Sequence, residues 1–282
     1  MDISRRQALT GGAGVAVGAI GAVTARAVGD RLAENTPLPF YGSPASGLRP
    51  DRSAPAAASG TVVWGGDPTA RRLALTFDDG PHPDWTPKVL AALDAAQATA
   101  TFFCLGRNVR EHAAIHRSSV GRHELANHTW GHPDLARFAY DRCCDEISRT
   151  SAEIEKAWGT TPTLFRPPYG HVGGAAVLAA AELGLTTVMW SAQAREDVVA
   201  SHPDGIVEDL ASLVHPGSIV LAHDTGSSDR LTTIERLPRI IERLRSDGYE
   251  LVTVSELLGP GATRPTPAAS AATTTPTTAS HG

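Results

Sequence analysis

Cysteine is nearly missing from this chain. Three residues in 282 (Cys104, Cys143 and Cys144), an odd number, exclude a disulfide-stapled scaffold and leave packing to hold the fold. Lysine is scarcer still: of 25 basic residues only Lys88 and Lys156 are lysine, an arginine-heavy usage to which no functional meaning attaches. Basic charge is short where it would matter, because residues 60–259 carry 18 basic against 26 acidic groups, a balance of 18 − 26 = −8. Such a domain repels a nucleic-acid backbone, so no nucleic-acid partner is expected. Near the start an uncharged Gly/Ala/Val run of about 15 residues ends at Val23, short for the roughly 20 residues of a bilayer span. The apolar fraction, 41%, is nonetheless ample for a core and excludes wholesale disorder.

What is present divides the chain into four parts. Residues 1–27 read as a twin-arginine signal peptide: Ser4-Arg5-Arg6-Gln7-Ala8-Leu9, the small-residue run, then Ala25-Arg26-Ala27 as a cleavage site. A retained anchor is the other reading of the same segment; with cleavage, no stable membrane span remains. Either way the domain is expected to work outside the cytoplasm, in association with the cell wall. Residues 28–60, rich in Pro, Ala, Ser and Gly, suit a flexible linker, and 260–282 a disordered Thr/Ala/Pro-rich tail. About 200 residues, 61–259, remain for one domain.

Within that domain short apolar runs alternate with stretches of helical period. The runs predict strands at 72–77, 100–105, 123–127, 163–166, 185–191, 218–222 and 249–254. Helices are predicted at 86–97, 109–120, 135–158, 174–183, 203–214 and 231–246, with Pro238 kinking or dividing the last. Repeated βα units give a parallel sheet, and the expected fold is α/β: a distorted seven-stranded (β/α) barrel, TIM-barrel-like, closed or nearly so. A doubly wound open sheet is the alternative, but the glycine-rich phosphate turn it normally carries after its first strand is missing. In such barrels the chemistry sits on loops at the carboxyl ends of strands.

Polar residues follow the strands here. The first strand ends in Asp78-Asp79-Gly80-Pro81; two adjacent carboxylates need a metal or an arginine to stay ionised together, unless the stretch is an ordinary Asp-Gly turn. The third runs into His128-Thr129-Trp130-Gly131-His132. Imidazoles at i and i+4 can face one ion, and with Asp79 they leave a fourth position for water, as in a catalytic zinc site. Thr129 is placed to brace that loop through its hydroxyl. Arg166-Pro167-Pro168-Tyr169-Gly170 follows the fourth strand, with a stiffened loop, the Tyr169 amide as a free donor, and Arg166 placed to pair with a carboxylate. Leu221-Ala222-His223 puts a histidine suited to proton transfer at the same barrel face.

Together and in this order, these stretches resemble the polysaccharide deacetylase family, the NodB homology or carbohydrate esterase family 4 domain, over about residues 70–258. The resemblance implies a divalent metal, usually zinc, held by Asp79, His128 and His132. It implies Asp78 as catalytic base, Arg166 orienting it, Tyr169 as backbone oxyanion donor and His223 as general acid. One family element is altered: where the pattern expects D-x-x-D-W, this chain has Gln193-Ala194-Arg195-Glu196-Asp197-Val198. The acid that tunes His223 would be Glu196 or Asp197, and the reading adopted is Asp197. The implied reaction is hydrolysis of N-acetyl groups on a GlcNAc-containing polysaccharide, peptidoglycan or chitooligosaccharide. Alternatives are an acetylxylan-type O-acetyl esterase and a secreted glycan-binding protein with a decayed site. Oligomeric state and preferred glycan are not legible in these residues.

Overall fold

The computed structural model describes residues 59–260. The proposed leader, most of the linker and the tail lie outside the described residues. Nine strands form one sheet: β1 Val62–Val63, β2 Arg72–Asp78, β3 Thr101–Cys104, β4 Glu124–Asn127, β5 Leu164–Phe165, β6 Thr186–Val188, β7 Ala192–Gln193, β8 Ile219–His223 and β9 Glu250–Leu251. The helices are α1 Thr86–Ala95, α2 Gly106–His112, α3 Tyr140–Trp158, α4 Gly174–Glu182, α5 Ile206–Leu213, α6 Leu231–Ser246 and α7 Val254–Leu258.

Strand order is β1-β6-β5-β4-β3-β2-β8-β7, with β9 beside the start of β2, and every named pair is parallel. The sheet curls into an open half-barrel flanked by helices, the distorted barrel expected. Two short strands exceed the seven expected: β1 is added, and the run 185–191 does not continue as one strand but gives β6, with β7 beyond it. The ladder stops where the carbonyls of Val188 and Met189 turn to accept hydrogen bonds from Arg166.

Strand β2 shows how two faces are built from one run. Leu73, Leu75 and Phe77 join the larger core against α1, α5 and α6, with Val89, Leu93, Leu210, Ile234, Leu237 and Ile241. The intervening Ala74 faces the interior with Phe103, Ala126, Leu164 and Val188, closed at the strands' amino ends by Val254 and Leu257 of α7. Period-two alternation therefore sends Thr76 and Asp78 into the barrel as well.

Several helices differ from expectation: α5 begins only at Ile206, after a 3-10 turn at Pro203–Gly205, and α7 is additional, cutting short the strand expected at 249–254. Helix α2 is shorter, because residues after His112 form turns tied by His116 and Ser119. The segment 135–158 is a 3-10 turn, Leu135–Arg137, capped by the Asp134 carboxylate, and then α3, separated by extended Phe138 and Ala139. Pro238 does not divide α6; its ring lies on the solvent face while Leu237, Ile240 and Ile241 are buried on either side of it in sequence, enough to offset the roughly 3 kcal/mol that an interior proline costs.

Candidate active site

Strand register brings the polar residues together before any side chain is considered. Asp78 is the direct partner of His223 across β2 and β8, and Asn127 is the partner of Phe165 across β4 and β5. The residues that follow, Asp79, His128 and Arg166, therefore emerge side by side at the carboxyl ends of the strands.

Asp79 Oδ1 lies 3.5 Å from His128 Nε2 and 3.3 Å from His132 Nε2. That oxygen is buried without a hydrogen-bond partner among the described residues, and one ligand atom from each of the three residues falls within 4.8 Å of the others. An orphaned carboxylate oxygen facing two imidazole nitrogens is the donor set of a divalent cation site, so the residues fit the metal that the resemblance implies. His128 Nδ1 bonds the Arg166 carbonyl at 2.8 Å, the outer partner that leaves Nε2 free as ligand. Burial alone would raise the Asp79 carboxyl, but the close approach of His128 Nε2 and the charges of His128 and His132 hold it well below the usual carboxylate range.

Asp78 stands beside this cluster, its Oδ2 3.7 Å from His128 Nε2. Its Oδ1 accepts from Arg166 Nη1 at 2.6 Å. Arg166 is fully buried: Nη1 also reaches Thr76 Oγ1, Nε and Nη2 donate to the Val188 and Met189 carbonyls, and the guanidinium stacks 4.0 Å from the Phe103 ring centroid. A charge so deep is tolerated because every donating nitrogen has an acceptor.

The loops are strained where they carry function. Asp79, Thr129, His132 and Tyr169 all have positive φ (75°, 70°, 63° and 61°), four of the five non-glycine residues that do among those described. Thr129 Oγ1 accepts the His132 N–H at 3.1 Å, the brace its position suggested. Gly80 admits no side chain, since a Cβ there would stand 2.2 Å from the Asp224 carboxylate. The Tyr169 N–H has no acceptor among the described residues, while its ring is 61% exposed and meets His132 edge-on at 4.5 Å. An open cleft of about 470 Å³ leads from Asp79 and His132 past Arg107, Asn108 and His112.

His223 is brought to the site, but the acid expected beside it is not. Asp197 lies at the surface and Glu196 is buried, bonded by the Thr233 hydroxyl. Arg195 is tied to Asp209 and Val199 enters the core, so between these anchors Glu196 turns inward and Asp197 outward. No carboxylate hydrogen-bonds the His223 ring among the described residues. Burial pushes its pKa down to about 4, with Asp78 opposing and the positive charge of Arg230 adding to the fall.

Sequence reasoning missed several supporting residues. Arg230 Nη1 lies 3.0 Å from Asp79 Oδ2, and Asn108 Nδ2 donates to the Asp79 carbonyl at 2.7 Å. Glu146 accepts the N–H groups of Trp130 and Gly131, and Asn127 Oδ1 accepts that of Thr129. Asp224, bonded by the Thr86 hydroxyl, is pushed up to about 7 by burial. Only Asn127 and Asp224 carried a signal, each adjoining a motif histidine.

Residues 65–188 match the family described as polysaccharide deacetylase. A peptidoglycan-N-acetylglucosamine deacetylase of Bacillus cereus is 37% identical over 202 residues, which cover 71% of this chain and 94% of that protein. Among solved structures, a peptidoglycan N-acetylglucosamine deacetylase superposes with a TM-score of 0.66 at 30% identity, covering 71% and 93% of the two chains. A carbohydrate esterase family 4 pseudoenzyme from Bacillus anthracis superposes with a TM-score of 0.65 at 29% identity, covering 71% and 70%. With the Asp/His/His cluster intact beside a buried carboxylate, the chain belongs to the polysaccharide deacetylase family and is a hydrolase of the carbohydrate esterase family 4 type.

Proposed function

We propose that this enzyme removes N-acetyl groups from the GlcNAc units of peptidoglycan outside the cytoplasm, with Zn²⁺ held by Asp79, His128 and His132. The observation that carries the reading is the unpartnered Asp79 Oδ1 turned toward two imidazole Nε2 atoms, with Asp78 paired to Arg166 alongside. The name of the Bacillus cereus relative supports the choice of sugar, and the twin-arginine leader the compartment.

An acetamide is resonance-stabilised, so its hydrolysis needs a strong nucleophile, a stabilised oxyanion and a protonated leaving nitrogen. A bound divalent cation supplies the first by lowering the pKa of water from 15.7 to near 7, and it polarises the acyl oxygen. Asp78 accepts the nucleophile's proton. Arg166 occupies one of its oxygens and leaves Oδ2 facing the site. The free Tyr169 N–H receives the oxyanion; a preorganised donor of this type is worth roughly 3 kcal/mol. His223 faces the same site as the group to hand a proton to nitrogen; Asp78, its register partner, opposes the burial that pushes the ring's pKa down to about 4.

Mass spectrometry of glycans after incubation tests this. Peptidoglycan strands and chitooligosaccharides should lose acetyl groups; exhaustive chelation should stop the reaction and Zn²⁺ restore it. Acetyl release from acetylxylan alone would establish the O-acetyl esterase reading instead. Metal uptake without acetyl release on any glycan would establish the binding protein.

A further inference from the structure

The metal ligand Asp79 is fixed from three directions, and only one of them belongs to the metal motif. Its carbonyl is held by Asn108, its Oδ1 faces His128 and His132, and its Oδ2 is taken by Arg230. Arg230 closes the 3-10 turn Ser228–Arg230 just before α6, 151 residues along the chain from Asp79. The same Nη1 donates to the Thr225 carbonyl at 2.8 Å. A Cβ at Gly226, where φ is +116°, would sit 2.5 Å from Nη1, so the loop is shaped around the guanidinium. Its charge also opposes the burial that raises the carboxyl of Glu196, the acid left over from the altered family element.

We propose that Arg230 is a positioning residue for the metal: by occupying Oδ2 it makes Asp79 a one-oxygen ligand through Oδ1. A free carboxylate offers a cation either one oxygen or two. With one engaged by a permanently charged guanidinium, the second coordination position stays open for water or the acyl oxygen. This inference rests on the metal reading above and goes beyond it, because neither the motif nor the role of Asp78 requires Arg230.

The test uses the full chain, stripped by chelator dialysis and titrated with Zn²⁺ against a chromogenic chelator. Loss of such an outer partner weakens metal affinity about 10- to 100-fold. We expect that range for Arg230→Gln, a partial recovery for Arg230→Lys, and no change for Arg239→Gln, which removes a charge of the same sign from the exposed side of α6. Gly226→Ala reaches the same interaction by displacing the guanidinium without removing its charge, and should weaken Zn²⁺ binding too. With Co²⁺ in place of Zn²⁺, the visible d–d bands should lose intensity in Arg230→Gln as Asp79 swings to two-oxygen ligation and raises the coordination number. Zn²⁺ affinity within twofold of wild type together with an unchanged Co²⁺ spectrum, in either Arg230→Gln or Gly226→Ala, overturns the role of Arg230 alone. A wild-type protein that takes up no stoichiometric metal overturns the metal reading and this inference with it.

Discussion

Two pairs of histidines differ in what surrounds them: His116 and His123 are packed among aromatic rings, whereas buried His128 and half-buried His132 face the carboxylates of the site. His116 and His123 pack around Phe102, their ring centroids 4.7 and 5.6 Å from it, with Trp158 on the far side of His116. Among the described residues His116 Nδ1 has only the Ser119 hydroxyl, His116 Nε2 has no partner, and neither nitrogen of His123 has one. Burial, with His123 adding to it, pushes His116 down to about 3. His128 is just as buried, and burial works against its charge in the same way. There, however, Asp78, Asp79 and the Arg166 carbonyl outweigh burial and raise it. Burial therefore silences a histidine by default, and a site arises only where carboxylates are delivered opposite the ring. In this fold the delivery is made by the parallel register of β2, β4 and β8.

The sharpest way to break the contrast is to remove the carboxylates one function at a time. Asp78→Asn should lower kcat/KM by about 10²- to 10⁴-fold, the usual worth of a general base, while keeping full stoichiometry of the divalent metal. His128→Ala should lose both the divalent metal and turnover. Acetate release and metal analysis on the same samples decide it: an Asp78→Asn enzyme with wild-type activity would remove the base assignment.

Next in size is the acid stability set by the other pair. His116 has a folded-state pKa near 3 against an ordinary value of 6.5, so between these limits the unfolded chain binds a proton that the folded protein refuses. Its contribution is therefore fully present above pH 6.5 and is lost as pH falls toward 3, on the order of 4–5 kcal/mol over the full window. His116→Phe, which keeps the ring packing against Phe102 and Trp158, should flatten urea-unfolding free energies between pH 7 and pH 4.5. Deacetylase activity at pH 7 should stay within about twofold of wild type. A variant whose stability falls with acid as steeply as wild type would show that His116 is not the group that titrates.

These contrasts also mark what was legible in the sequence. Asp78, Asp79, His128, His132, Arg166 and His223 could be found because each follows an apolar strand, and parallel strands align their ends. The barrel was legible for the same reason, in the alternation of short apolar runs with helical ones. Arg230 was not, because a turn before a helix has no periodicity to place it, and its partner is on β2's loop. Glu196 and Asp197 could not be separated, since one residue of slip exchanges an inward for an outward side chain, and only the anchors Arg195 and Val199 settle which is which. Pro238 misled because proline's local cost is readable while the burial that outweighs it is tertiary.

The smallest effect sharpens the comparison most finely, because it asks whether the His128–His132 loop is held in its unusual shape by one hydroxyl. Thr129 is buried, has φ of 70° and accepts the His132 N–H, whereas the loop bearing His116 has no such strained residue. A β-branched residue in the left-handed region is costly, so something must favour it there. If the hydroxyl is what matters, Thr129→Ala loses one hydrogen bond, about 1 kcal/mol, and zinc affinity falls about fivefold. Thr129→Ser keeps the acceptor, and its affinity should stay within about twofold of wild type. Equal affinities in the two variants, measured by chelator competition, would mean that Asn127 and Glu146 alone hold the backbone and that the threonine is there for packing.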